Sequence, residues 1–110
     1  MRVEHGDSAL ADDVKLLDGY FEQIRGLMLR DRLPDGSAAV LQYGSVSRRP
    51  VHTALMRFPI DVVWVADGEA TAVETMAPWS LASHEADTVV ELPAGAAGRV
   101  MSGDPVSVRG

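Results

Sequence analysis

His52-Thr53-Ala54-Leu55-Met56-Arg57-Phe58-Pro59-Ile60-Asp61-Val62-Val63-Trp64-Val65 runs from polar, ionisable residues into a β-branched apolar strand. The run from Ile60 to Val65 has strand chemistry, and Asp67-Gly68 follows it. That dipeptide suits the positive φ angles of a two-residue hairpin turn. Ala70 to Met76 then returns as the second arm, and Pro78-Trp79 breaks it. A β-hairpin at the centre of the chain sets the reading of the rest.

Turn residues are dense on both sides of this hairpin, with ten Gly and six Pro in 110 residues. They leave room only for short segments, a mostly β pattern. Val3 lies in a first strand and Ala11 to Leu17 forms a second, weakened by Asp12-Asp13. Gly19 to Met28 is the best helix, because Phe21, Ile24, Leu27 and Met28 recur at spacings of three and four. Leu33-Pro34-Asp35-Gly36-Ser37 is a turn, Ala38 to Tyr43 a strand ending at Gly44, and Ser45 to Pro50 a polar loop. His52 to Met56 is expected to pair next. Val89 to Leu92 is a strand stopped by Pro93, Ala96 to Ser102 one helical turn closed by Gly103, and Pro105 to Val108 a last strand. The sum is a compact β-sandwich or barrel of about seven to eight short strands with one or two short helices. Its length makes residues 1–110 a single domain.

Composition narrows the chemistry. There is no cysteine, which removes disulfides and thiolate sites together. The apolar fraction of 46% is that of a globular protein, and no stretch has the roughly 18 consecutive apolar residues of a membrane helix. The polar start, Met1-Arg2-Val3-Glu4-His5-Gly6-Asp7, is unlike a signal peptide, so a cytoplasmic location and no membrane association are expected. Sixteen acids stand against ten bases, a net charge of −6. Nine of the ten bases are Arg, and Asp outnumbers Glu ten to six. This pattern favours a halophilic, specifically haloarchaeal, source, where salt screens repulsion between carboxylates. A high-GC genome gives a similar bias without salt adaptation. A halophilic protein should gain thermal stability between dilute buffer and molar potassium chloride; equal stability in both would rule that origin out. The same charge argues against nucleic acid as a partner.

Seven residues are candidates for a polar cluster that binds a ligand or holds the structure together. Arg25 and Arg30 could bind an anion or carboxylate, or pair internally with Glu91 or Asp61. His52, followed by Thr53, could act as a general base or metal ligand, or simply hydrogen-bond to backbone. No His spacing of the metal-binding kind occurs, so neither a metal nor any other cofactor is expected. Asp61 is expensive to bury unless it takes hydrogen bonds from Thr53, Arg57 or loop backbone. Glu91 follows the same logic. Trp64 and Trp79 read as core or rim aromatics, with Pro78-Trp79 also suited to line a ligand groove by stacking.

Four segments carry a family resemblance: Arg25-Gly26-Leu27-Met28-Leu29-Arg30; His52-Thr53 with Met56, Phe58 and Ile60-Asp61-Val62-Val63; Glu91-Leu92-Pro93-Ala94-Gly95; and Gly103-Asp104. Together they resemble domain-of-unknown-function family 192, a group of small and mostly uncharacterised proteins. Many members carry Lys-Asn-Thr where this chain has His52-Thr53-Ala54-Leu55-Met56, so no role of those residues transfers. The resemblance implies a small β-fold and no established activity.

Two functions compete. The first is a small-ligand binding or accessory module, expected to be a monomer, with Arg25, Arg30, His52, Arg57 and Asp61 around a groove that holds a small polar or anionic ligand. The alternative is a small hydrolase-like enzyme using His52 with Asp61 or Glu91 as acid–base pair. A protein-interaction subunit with an exposed Met and Trp surface is a third option.

Overall fold

In a computed structural model the described residues are 1–17, 33–54 and 56–110. They form eight strands: β1 (Arg2–His5), β2 (Ser8–Ala11), β3 (Asp13–Leu16), β4 (Ser37–His52), β5 (Ile60–Ala66), β6 (Glu69–Met76), β7 (Leu81–Pro93) and β8 (Val106–Arg109). The strands lie in two open sheets, ordered β2-β1-β8 and β3-β4-β7-β5-β6. The mostly β expectation therefore holds, as two open sheets, and the closed barrel does not. Among the described residues the larger sheet ends in β3 and β6, and the start of β6 is bonded to the segment before β8 through Glu69 and Ala70.

The central hairpin forms as its sequence requires. Asp67 and Gly68 have φ of 52° and 80°, and β5 and β6 pair from Ala66–Glu69 to Ile60–Met76. On its other side β5 pairs antiparallel with β7, which explains why Ile60 to Val65 is buried on both faces. Alternation then divides the apolar residues between two cores. Ile60, Val62, Trp64, Leu41, Val51 and Val89 belong to one core. Val63, Val65, Val40, Val90 and Leu92 belong to the other, which Val3 and Val106 of the three-stranded sheet complete.

Several segments differ from the sequence reading. The stretch Ala11 to Leu17 is split at Asp12, where the chain leaves the small sheet and joins the large one. The backbone N–H groups of Asp12 and Asp13 both donate to the carbonyl of Gly36, fixing that transfer. Ser45 to Pro50 is no loop: it continues β4 and pairs with β7 from Ser47–Ala86 to His52–Leu81, after an irregularity between Gln42 and Ser47. Pairing overrides the polar composition there. His52 is the last residue of β4, and residues 53, 54 and 56–59 are not in a strand. Ala96 to Ser102 makes tight turns instead of a helix. Successive bonds from Ala96 to Pro93, Gly98 to Gly95 and Val100 to Ala97 close them, with Gly95 and Gly103 at φ of 93° and 94°. The proposed helix at Gly19 to Met28, with the Arg25 to Arg30 signature, lies outside the described residues.

Trp79 adopts φ of 62° and is 69% exposed, beside Leu81 at 74%. Its N–H donates to the carbonyl of Thr53, which pins the turn. A left-handed conformation costs a non-glycine residue about 1–2 kcal/mol, while glycine loses about 0.5–1 kcal/mol more entropy on folding. Trp79→Gly is therefore expected to keep or raise the melting temperature, by up to about 5 °C. A clear fall in thermal denaturation would show that the indole contributes packing that outweighs the backbone cost.

Candidate functional site

The sequence-derived acids fall on opposite sides of the large sheet. Asp61 faces Leu92 across the β5–β7 ladder and Val62 faces Glu91, so the two carboxylates project from opposite faces. Asp61 is buried. One of its oxygens accepts from Thr75 Oγ1 at 2.7 Å, and the other from the backbone N–H groups of Gly95 and Ala97, both at 2.9 Å. It holds the turn after β7 against the sheet. Glu91 is fully buried in the side of the first core, in a cross-strand row with Val62 and Glu74.

Thr53 is another clamp. Its buried hydroxyl donates to the carbonyl of Ala77 at 2.7 Å and accepts from the N–H of Ser80 at 2.8 Å. The backbone N–H of Thr53 also donates to the carbonyl of Ser80. Both ends of the Ala77–Ser80 turn are thus tied to one residue. His52 is half-buried, and alternation turns it away from Val51, whose side chain is in the first core. Arg57 is exposed on the segment between β4 and β5. Arg25 and Arg30 lie outside the described residues. Asp61 and Thr53 are thus held by different turns, and Asp61 lies on the opposite face of the sheet from Glu91.

A polar cluster that sequence reading missed surrounds Trp64. The indole Nε1–H donates to the carbonyl of Arg49 at 2.8 Å, and the His84 ring meets the indole edge-on at 4.6 Å between centroids. His84 Nε2 lies 2.5 Å from Glu74 Oε2, with the two side chains 37% and 42% exposed. The Arg49 guanidinium sits 3.9 Å over the Tyr43 ring and donates to the carbonyls of Ser45 and Ala86. Burial raises the Tyr43 pKa above its ordinary value; Arg49 opposes the shift and Glu91 adds to it. This cluster joins the outer half of the β4–β7 ribbon to β5 and β6. No local motif marks it, because its members come from four strands.

The Gly103-Asp104 signature is a brace of the same kind. Asp104 Oδ2 accepts from the N–H of Met101 at 2.9 Å and lies 2.8 Å from His5 Nε2. The Met101 N–H, and after it His5, holds the Asp104 carboxyl below the usual carboxylate range. Among the described residues, no group of three or more His, Asp or Glu side chains is placed to hold a metal ion. Among them no helix is long and apolar enough to cross a membrane.

A concavity of about 160 Å³ opens between the two sheets, and none of the described sequence-derived candidates lines it. Gln42, Thr88 and Val65 form one cross-strand row of the large sheet along one wall. Val106 and Val108 of β8 face them, and Asp87 lies at the side. Asp87 accepts one hydrogen bond on each oxygen, from the N–H of Asp67 and from Thr88 Oγ1, both at 2.9 Å. A carboxylate offers about four acceptor sites, so both oxygens retain capacity. The site thus combines an apolar wall with a positioned anion, an amide and a hydroxyl.

The model of the DUF192 family, described as "Uncharacterized ACR", matches residues 1–108. No curated protein matches the chain. Two solved structures are similar in fold. One is a protein of Sinorhizobium meliloti 1021 described as a candidate transcription regulator, with a TM-score of 0.74, 24% identity, and 86% of this chain and 79% of that chain covered. The other is a protein of unknown function from Novosphingobium aromaticivorans DSM 12444, with a TM-score of 0.73, 22% identity, and 86% and 74% covered.

Proposed function

The chain belongs to the DUF192 family, and from that premise we propose that it is a small-ligand binding module whose site is the concavity between the sheets. The observation that carries this reading is the concavity itself, in which polar groups of Gln42, Asp87 and Thr88 stand against a valine wall. Binding sites of this kind set a few placed polar groups in an apolar surround. The reading is also favoured by the use made of Asp61, whose carboxylate accepts from Thr75 and from the backbone of the turn after β7. The S. meliloti protein resembles this chain in fold alone, and a net charge of −6 disfavours a phosphate-backbone partner.

A thermal-shift screen of small metabolites on the wild type and Thr88→Leu tests the proposal. Leucine would fill the wall between Gln42 and Val65 while leaving the strand pairing in place. A ligand at 100 times its Kd should stabilise the wild type by about 2.7 kcal/mol and the filled variant far less. Equal shifts in both proteins, or none in the wild type, would reject this site.

A further inference from the structure

We propose that the pocket takes a small organic cation, a primary ammonium on a short branched aliphatic body. The inference rests on the reading of this concavity as the binding site. Its size sets the first limit. A volume of about 160 Å³ matches cavities that hold a benzene-sized molecule, so a body of about six non-hydrogen atoms fits. Its walls set the second. Val65, Val106 and Val108 offer hydrocarbon and would leave a highly hydrated ligand without partners.

Charge sets the third limit and decides the class. Asp87 is the ionisable side chain that lines the pocket. Its two hydrogen bonds, from Asp67 N–H and Thr88 Oγ1, fix its orientation and leave acceptor sites on both oxygens. Gln42 adds a carbonyl acceptor. An ammonium has three donors and no acceptor, which complements this set. A carboxylate ligand would instead be repelled by Asp87. The neighbouring hairpin adds Asp67 and Glu69 to the same negative field. Arg109, which follows Val108 on β8, is engaged by Glu4 at 2.8 Å, and Arg2, opposite it in the ladder, by the same carboxylate at 3.7 Å. A charged hydrogen bond to a fixed carboxylate then supplies specificity while the valines supply contact area.

Three probes of nearly one shape separate the possibilities: isopentylammonium, isopentanol and isovalerate, each titrated to about 50 mM against the labelled protein by NMR at neutral pH. The ammonium is expected to bind at least tenfold tighter than the alcohol, with shift changes centred on Val65, Thr88, Val106 and Val108. Isovalerate should not bind. Raising potassium chloride should weaken the ammonium and leave the alcohol unchanged. Asp87→Asn, which keeps an acceptor for Asp67 N–H, should bring ammonium and alcohol to equal affinity. The wild-type series decides the question even if that variant fails to fold. Equal binding of ammonium and alcohol, or preference for isovalerate, overturns the cation while the pocket stands. Absence of any shift at these four residues with all three probes overturns the pocket reading as well.

Discussion

Asp61→Ala is expected to destabilise the fold by about 3–5 kcal/mol, a fall in melting temperature on the order of 15 °C. The carboxylate is buried, and its oxygens are the acceptors for Thr75 Oγ1 and for the N–H groups of Gly95 and Ala97. Alanine leaves those donors facing an apolar gap beside the second core. Each unsatisfied buried donor costs about 1–3 kcal/mol. Asp61→Asn should cost less, because one amide oxygen remains, yet its NH₂ must face a donor. The order wild type, Asn, Ala in urea unfolding checks the argument. An alanine variant as stable as the asparagine variant would mean that the turn after Pro93 is held by its own i to i+3 bonds.

Trp64→Ala should have a comparable effect, about 3–5 kcal/mol. The side chain is completely buried in the first core, between Ala72 on β6 and Val89 on β7. Alanine opens a cavity, leaves the carbonyl of Arg49 without its indole donor, and removes the surface against which His84 stands. Trp64→Phe keeps most of the volume and loses the donor, so it should fall between. The intended readout is urea unfolding of both variants. If the phenylalanine variant proves as unstable as the alanine variant, the hydrogen bond to Arg49 outweighs the packing.

The legible parts of the fold are those fixed by neighbours in sequence. Asp67-Gly68 between two apolar runs specifies the central hairpin, since only positive φ closes it. Asp61 within Ile60 to Val65 reads correctly as a buried acid in need of donors, and loop backbone is among those it finds; Thr75 replaces the expected Thr53. Ser45 to Pro50 misleads because its polar residues describe a loop, whereas the antiparallel partner Leu81 to Ala86 makes it a strand. Ala96 to Ser102 misleads in the opposite direction. Its small residues permit a helical turn, but Asp61 takes the N–H groups of Gly95 and Ala97 from thirty-odd positions away. The pocket is the least legible feature, because Gln42, Val65, Asp87, Thr88 and Val106 lie on four strands whose order no local pattern reveals.

The pairing of β1 with β8 governs how the molecule assembles. Val3 meets Val108 and Glu4 meets Ser107, so the small sheet gains its third strand only after β8 has been made. Closing so long a loop is entropically slow, and topologies dominated by distant pairings fold over milliseconds to seconds. During synthesis the nascent hairpin of β1 and β2 must wait with one side of Val3 uncovered. β8 is then the strand that seals the second core, and the small sheet is completed only once it reaches β1.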